Sequence, residues 1–215
     1  MKQKITPEAI RVVAFDCDGV MFDTEETNRI YYNTILDRFG MPSLSDEQFR
    51  YVHMATVGQA LDYLFEGRVD MGEVRAATAA FDYASLIPHM KMEPSLIRVL
   101  TTLAPRCKRA IATNRANTME AVLAFHGLSD LFELVVTSMV VEHPKPAPDQ
   151  LHKIMDHFDV AAHEILYIGD STTDQLAAQA AGVPFVAFGN PELTADAHMD
   201  SLDEIPPLLG LGNAS

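Results

Sequence analysis

The chain has 215 residues, 48% of them hydrophobic, and a formal net charge of −14. This length holds one large domain or a core with a small insert, and the apolar content is enough for a buried core. The negative charge argues against a nucleic-acid partner, although a local cation and a few basic residues can still attract a small phosphorylated ligand. No apolar run reaches membrane-spanning length, and the start lacks the apolar segment of a signal peptide. With only two cysteines, Cys17 and Cys107, we expect reduced thiols and a cytoplasmic protein without a membrane partner.

The first structural signal is an apolar run that ends in two carboxylates. Residues 12–15 do not alternate with polar residues, which predicts a strand buried on both faces. Asp16 and Asp18 follow at alternate positions, so their side chains face one pocket while Cys17 points away. Two acids this close repel each other, and a bound cation is the usual remedy. The alternative is a strand that simply ends in an acidic loop.

The next segment contains only helical patterns. Thr24 is a candidate N-cap for the first helix, and Ser43 or Ser45 for the second. No strand is expected between residues 24 and 90, so this block interrupts an otherwise alternating chain and predicts an inserted all-α cap domain. The helices are expected over residues 25–39, 45–52, 58–65 and, after Gly72, as far as Ile87.

Strands and helices alternate after residue 90. Single helices between strands imply a parallel sheet with right-handed crossovers and helices on both faces. The sequence therefore predicts an α/β fold, a three-layer Rossmann-like core of residues 1–23 and 91–215 with a helical cap of residues 24–90. The later strands are expected at 109–114, 134–138, 165–168 and 184–188, and the helices at 94–103, 117–125, 148–158, 177–181 and 202–209.

Polar residues stand at the carboxyl ends of three predicted strands: Asp16 and Asp18, then Thr113 and Asn114, then Asp170. Ligands of parallel sheets bind at that edge. Thr113 and Asn114 before a helix would form a phosphate cradle with free helix N–H groups, or would only cap the helix. Asp170 beside Asp16 would complete a Mg²⁺ site of oxygen ligands.

Two further residues have both a functional and an ordinary interpretation. Lys145 is flanked by prolines, which stiffen its loop and fix its direction, but an isolated lysine in such a loop can also face solvent. Asp174 falls in the first turn of a predicted helix, where a carboxylate also suits the helix dipole.

These four stretches together resemble the four motifs of the haloacid dehalogenase (HAD) superfamily. Asp16 to Thr24 matches motif I, Thr113 motif II, Lys145 in Lys-Pro-x-Pro motif III, and Gly169 to Asp174 motif IV. The resemblance extends over residues 12–174. It implies the HAD fold with a helical, C1-type cap, as in phosphoglycolate phosphatases and β-phosphoglucomutases.

The resemblance also implies a role for each motif residue. Asp16 would attack phosphorus to form an aspartyl-phosphate, and Asp18 would act as general acid and then as general base. Lys145 would neutralise the negative charges of the nucleophile and the phosphate. Thr113, Asn114 and Lys145 would bind the phosphate. The Mg²⁺ ligands would be Asp16, Asp18 through its main-chain carbonyl, Asp170 and Asp174.

Other members of the superfamily fit less well. Dehalogenases lack the second acid, Asp18, and phosphonoacetaldehyde hydrolases need a cap lysine, whereas this chain has no lysine between Lys4 and Lys91. β-Phosphoglucomutases carry a His and an Arg where our alignment places Asn28 and Val57. We therefore expect a phosphatase acting on a small phosphomonoester such as phosphoglycolate or a sugar phosphate. A phosphosugar mutase and a non-catalytic protein that binds a phosphorylated ligand are the alternatives.

Substrate selectivity is expected to come from the cap. Arg50 suits an acidic substrate, because a cation is needed opposite a carboxylate. The partner is expected to be a small phosphorylated metabolite; the oligomeric state is open, with a monomer favoured. The other candidate selectivity residues are Asn28, His53, Met54, Thr56 and Gln59.

Overall fold

The computed structural model describes residues 5–55 and 57–212. Two compact units are distinguished: one runs as far as Asp23 and resumes at Lys91, and the other is Thr24–Met90. None of the helices within the described residues is long and apolar enough to cross a membrane. Cys17 and Cys107 are both free and buried.

The first unit is built on a six-stranded parallel sheet. In chain order the strands of the molecule are β1 (Val12–Phe15), β2 (Phe22–Asp23), β3 (Lys91–Met92), β4 (Lys108–Thr113), β5 (Leu134–Thr137), β6 (Ile165–Gly169), β7 (Phe185–Phe188) and β8 (Ala197–Met199). The spatial order of the large sheet is β5-β4-β1-β6-β7-β8. Strand order therefore reverses beside β1, whose carboxyl end is the place where such sheets bind ligands.

Helices cover the sheet of the first unit and make up most of the second. In chain order they are α1 (Glu25–Arg38), α2 (Asp46–Met54), α3 (Val57–Phe65), α4 (Met71–Ala79), α5 (Leu96–Leu103), α6 (Met119–Phe125), α7 (Asp149–Phe158), α8 (Thr172–Ala181) and α9 (Ile205–Leu208). In the first unit, α7 packs on β4 and β5, α8 on β6 and β7, and α5 on β4 and α9.

Burial of β1 fixes the centre of the core, because all four of its residues are fully buried. Side chains alternate along a strand, so Val12 and Ala14 share one face, where they join a cluster that includes Leu151 of α7 and Ala177 of α8. Helix α5 buries an apolar face of its own that includes Leu100. The predicted α/β fold with a three-layer parallel core is confirmed.

The regular elements of the second unit are all helices within its described residues, and the unit has a separate apolar core. Tyr31, Phe49, Leu64 and Val74 bring one side chain each from α1, α2, α3 and α4 to this core. Helix α2 begins with a capping box, in which the Ser45 side chain accepts from the Gln48 N–H and the Gln48 side chain accepts from the Ser45 N–H.

Two details of the second unit differ from the sequence prediction. The helix expected to continue to Ile87 ends at Ala79, and a separate 3₁₀-helix covers Tyr83–His89. The Asp82 side chain accepts from the Ala84 N–H and so starts a new helix where the pattern suggested continuity. Thr24 precedes α1 but makes no side-chain cap, because its ψ of 2° departs from the extended backbone of a capping residue.

The first unit has elements that the sequence did not predict. Strands β2 and β3 pair antiparallel over two residues each, and β8 adds a three-residue parallel edge. Strands this short carry no periodic signal. The helix expected to start at Pro94 begins at Leu96, and the final helix is a 3₁₀ turn, Leu202–Glu204, followed by α9.

Candidate active site

The predicted polar residues meet at the carboxyl edge of three neighbouring strands. Asp16 follows β1, Thr113 ends β4, and Asp170 follows β6; β1 pairs with both of the other two strands. Gly19 permits this convergence, because its φ is +80° and an added Cβ would lie 2.0 Å from Asp170 Oδ2. Only glycine accommodates both the backbone and the close approach of the carboxylate.

Three carboxylates form a compact acidic group at this edge. Asp16, Asp170 and Asp174 each bring one oxygen within 4.8 Å of the others, and Asp16 and Asp174 are buried. The carboxylate of Asp18 is not part of this group. The arrangement concentrates negative charge in a place that water screens poorly.

The pKa values of these acids reflect their burial. Loss of solvation raises the pKa of Asp16 to about 7; Lys145 opposes the shift and the carboxylates of Asp174 and Asp18 add to it. Burial, with the carboxylates of Asp16 and Asp174, raises the pKa of Asp170 to about 8. Asp16 Oδ1 is buried and, among the described residues, accepts no hydrogen bond. Crowded carboxylates and an open oxygen fit a divalent cation that prefers oxygen ligands.

Lys145 is the cation of the site and is buried with Asp16. Its Nζ donates to Ala112 O at 3.0 Å, Tyr167 OH at 2.8 Å and Asp174 Oδ1 at 2.6 Å. Nζ also lies 2.9 Å from Asp16 Oδ1, where the two side chains form an ion pair. Asp16 therefore has a positive charge directly beside its carboxylate.

The charge of Lys145 is maintained by its neighbours. Burial alone would lower the pKa of Lys145, but the carboxylates of Asp16 and Asp174 reverse that effect and raise it. Burial would likewise raise the pKa of Asp174, and the adjacent Lys145 lowers it instead. Both residues of this pair are therefore charged at neutral pH.

The backbone of the lysine loop is fixed by two amide side chains. Gln150 Oε1 accepts from the Lys145 N–H at 3.1 Å, while Gln150 Nε2 donates to Thr113 O at 2.6 Å. Asn114 Nδ2 donates to Lys145 O at 2.9 Å. Gln150 is fully buried and ties the loop to β4. Sequence reasoning missed it, although a glutamine on the inner face of a helix is a signal of a buried polar network.

Asp174 is a fully buried hub of hydrogen bonds. Tyr167 OH lies 2.6 Å from its Oδ1, and its Oδ2 accepts from Ser171 N at 3.1 Å and from Ser171 Oγ at 2.5 Å. Ser171 and Asp174 form the capping box of α8, so the helix start and the site share the same groups. Tyr167 was also missed from sequence, because a tyrosine in an apolar strand is indistinguishable from an ordinary core residue.

Asp18 is held by a residue that no motif singled out. Arg115 Nη2 donates to Asp18 Oδ1 at 2.6 Å and Arg115 Nε to Oδ2 at 3.2 Å, a two-point contact between guanidinium and carboxylate. The two residues are 97 positions apart in the chain. A contact of this range cannot be read from local pattern.

The predicted phosphate cradle differs from expectation in one respect. No helix opens directly after Asn114: α6 begins at Met119, so its first N–H groups lie five residues later in the chain. Thr113 is buried, and its Oγ1 accepts from the Arg115 N–H at 3.1 Å. Asn114 is exposed and contacts the lysine loop.

The candidate selectivity residues belong to the second unit. Asn28 Nδ2 and His53 Nδ1 lie 3.2 Å apart, so two of them are brought together. Arg50 is exposed and its Nε donates to Asp46 O at 3.2 Å. Gln59 is exposed. Thr56 and the side chain of Met54 lie outside the described part of the chain.

Comparisons with known proteins identify the family of the chain. Residues 13–188 match the family described as haloacid dehalogenase-like hydrolase. A phosphoglycolate phosphatase from Yersinia pestis is 29% identical over 95% of both chains. The pyrophosphatase PpaX of Bacillus mycoides is 26% identical over 93% of this chain and 97% of its own. The crystal structure of a HAD-superfamily hydrolase, subfamily IA, from Geobacter sulfurreducens shares 39% sequence identity with this chain and has a TM-score of 0.85. The match covers 97% of this chain and 100% of the other.

Proposed function

Because the chain belongs to the haloacid dehalogenase-like hydrolase family, we propose that it is a Mg²⁺-dependent phosphatase acting on a small phosphomonoester through an aspartyl-phosphate on Asp16. The observation that carries the proposal is the environment of Asp16 Oδ1. The Lys145 ammonium lies 2.9 Å from this oxygen, and both side chains are buried. Such charge neutralisation lets an anionic nucleophile approach an anionic phosphate.

The proposed chemistry has two half-reactions. First, a carboxylate oxygen of Asp16 forms a bond to phosphorus, the bond to the leaving oxygen breaks, and Asp18 gives that oxygen a proton. A water oxygen then bonds to phosphorus, the bond to Asp16 breaks with its electron pair returning to the carboxylate, and Asp18 takes a proton from the water. Lys145 offsets the negative charge of both reactants, which would otherwise repel. Thr113 and Asn114 are proposed to bind the phosphate.

The acidic group is proposed to hold Mg²⁺. Asp16, Asp170 and the main-chain carbonyl of Asp18 are the proposed ligands, and Asp174 is the third carboxylate of the group. A divalent cation there would hold the carboxylates ionised and stabilise negative charge on the transferred phosphoryl group. The raised pKa values of Asp16 and Asp170 support this assignment, since burial and the neighbouring carboxylates outweigh the compensating charge of Lys145 at both residues.

The substrate is proposed to be a small phosphate ester such as phosphoglycolate or a sugar phosphate. The similarity to a phosphoglycolate phosphatase over 95% of the chain supports this class.

We further propose that the helical unit selects the substrate through Asn28, Arg50, His53 and Gln59. Arg50→Ala should then reduce kcat/KM for phosphoglycolate more than for a sugar phosphate, which has no carboxylate. An equal reduction for both substrates would contradict this role.

The proposal is tested by phosphate release from an aryl phosphate, phosphoglycolate, a hexose phosphate and pyrophosphate. We expect release that needs Mg²⁺ and disappears in Asp16→Asn, a nearly isosteric change that removes the nucleophilic charge. Turnover by the variant at the wild-type rate would refute the mechanism. Conversion of a hexose 1-phosphate to the 6-phosphate only with a bisphosphate primer, without phosphate release, would identify a mutase instead.

A further inference from the structure

The contact between Arg115 and Asp18 falls outside the conventional motif residues. The guanidinium approaches both carboxylate oxygens, at 2.6 Å from Nη2 and 3.2 Å from Nε. A two-point contact of this kind fixes orientation as well as distance, because a planar fork meets a planar carboxylate in one way. Asp18 is therefore held in one direction, although its side chain is 37% exposed.

Arg115 is itself held by the surrounding chain. Its third guanidinium nitrogen, Nη1, donates to Thr118 Oγ1 at 3.0 Å, and its side chain is only 14% exposed. Thr118 stands directly before α6, where a threonine commonly caps the helix, but its hydroxyl makes no cap. The Thr118 hydroxyl instead accepts the hydrogen bond from Arg115. Its contacts with Asp18 and Thr118 bring both carboxylate oxygens and one hydroxyl to a single guanidinium.

We infer that Arg115 is a positioning residue for Asp18, which it orients for the hydrolysis of the phosphorylated enzyme. This inference rests on the proposed function. The contact pairs two guanidinium donors with the two oxygens of Asp18, and it is strongest while Asp18 carries its negative charge, the form that accepts a proton. The contact therefore supports the half-reaction in which Asp18 receives a proton from water, and it weakens once Asp18 is protonated.

Proton transfer remains possible while the contact is intact. Each carboxylate oxygen has a second lone pair beyond the one that Arg115 uses. In the step assisted, the water oxygen bonds to phosphorus, the phosphorus–Asp16 bond breaks toward Asp16, and one water proton passes to Asp18. Asp18 later returns that proton to the next leaving oxygen, so no further reactant is needed.

The test separates the two half-reactions by the choice of substrate. An aryl phosphate with a good leaving group, such as p-nitrophenyl phosphate, releases its phenolate without a proton from Asp18. Loss of Arg115 should then leave formation of the aspartyl-phosphate nearly unchanged and slow its hydrolysis. For Arg115→Met we expect a burst of close to one phenolate per enzyme, larger than the wild-type burst, followed by slow turnover.

Steady-state kinetics give a second readout that simple damage to the fold would not produce. In Arg115→Met, kcat should fall by about 10²-fold, the scale of a misplaced reacting group. KM should fall with it, so that kcat/KM, which reports only the steps up to phenolate release, stays close to wild type. Arg115→Lys keeps the charge without the fork and should recover only part of kcat.

A matched control is available on β4, the strand that precedes Arg115. Arg109, near the amino end of β4, makes a similar two-point contact with Glu133, at 2.7 Å from Nη2 and 3.1 Å from Nε. Arg109→Met should lower stability without a burst and without the parallel fall in kcat and KM. If Arg115→Met fails to fold, Thr118→Val removes only the hydroxyl that holds Arg115 and should show the same kinetic pattern in weaker form.

The outcomes distinguish the inference from the function on which it rests. A kcat/KM that falls with kcat, without accumulation of phosphorylated enzyme in folded Arg115→Met or Thr118→Val, would overturn the positioning role alone. Absence of phenolate release from the wild-type enzyme, or full turnover by Asp16→Asn, would refute the phosphatase mechanism and the inference with it.

Discussion

Lys145 Nζ lies 2.9 Å from Asp16 Oδ1 and also donates to Ala112 O, Tyr167 OH and Asp174 Oδ1. The lysine therefore places a positive charge directly beside the proposed nucleophile. This arrangement lowers the repulsion between the carboxylate and an incoming phosphate, because a positive charge lies directly beside the carboxylate.

Lys145→Met should therefore abolish most activity and also destabilise the protein. We expect kcat/KM to fall by at least about 10²-fold, as when another preorganised electrostatic group is removed. The free energy of unfolding should fall by about 3–5 kcal/mol, because Asp174 becomes an unpaired buried charge. Urea denaturation and initial rates measure the two effects.

The double variant Lys145→Met with Asp174→Asn separates the effect on activity from the effect on stability. Removing both charges should recover much of the stability but none of the activity, since the cation beside Asp16 is still missing. Recovery of turnover in the double variant would show that the lysine is only structural.

Tyr167→Phe should weaken the same network without removing a charge. Its hydroxyl accepts from Lys145 Nζ and lies 2.6 Å from Asp174 Oδ1, so the substitution leaves both buried groups with one partner fewer. We expect the free energy of unfolding to fall by about 1–3 kcal/mol and kcat to fall as well. Tyr83→Phe, which removes a longer hydrogen bond of 3.3 Å to Tyr31, is the control and should change stability by less than about 0.5 kcal/mol. Equal effects of the two substitutions would argue against the network.

Gly19→Ala should impair the binding of a divalent cation. The new Cβ would meet Asp170 Oδ2 at 2.0 Å and displace that carboxylate. Gly127→Ala is a matched control, because Gly127 also has a positive φ, +70°, but an added Cβ there would have no atom within 4 Å. Both variants should lose about 1–2 kcal/mol of stability to backbone strain. Only Gly19→Ala should lose Mg²⁺ affinity, measured by calorimetric titration, and equal affinities would refute the role of the close approach.

Stability without a divalent cation should fall as pH rises from about 5 to about 8. The folded-state pKa values of Asp16, about 7, and Asp170, about 8, lie above those of an unfolded chain, so the folded protein binds more protons across this range. Deprotonation of these acids then favours unfolding. Thermal melting should show a lower Tm at pH 8 than at pH 6, and a larger increase on adding Mg²⁺ at pH 8.

Asp170→Asn checks that this pH dependence belongs to the acidic group. The variant should show a flatter Tm profile between pH 6 and pH 8 and a smaller response to Mg²⁺. An unchanged profile would place the titrating groups elsewhere in the chain.

The sequence located the strand-end residues because their signal is local. An apolar run followed at once by an acid, as at Val12 to Asp16 or Ile165 to Asp170, predicts both the strand and the edge that the acid occupies. Parallel pairing then brings the ends together without further information. The α/β fold and the neighbouring positions of Asp16 and Asp170 follow from this rule.

The supporting contacts could not be predicted in the same way. Arg115 reaches Asp18 across 97 positions, and Gln150 reaches Thr113 across 37. Such pairs depend on the three-dimensional packing and have no periodic signature. The break between α4 and the following 3₁₀-helix was missed for a local reason, because capping by Asp82 outweighed a continuing apolar pattern.

The most direct test of the account is to detect phosphate on Asp16. Enzyme quenched with acid during turnover of an aryl phosphate, and then reduced with borohydride, should contain homoserine at position 16, because borohydride reduces an acyl phosphate to the alcohol. We expect this change by peptide mass spectrometry in the wild type with Mg²⁺ and not in Asp16→Asn. Undiminished turnover by Asp16→Asn, with position 16 never modified in the wild type, would contradict the covalent mechanism.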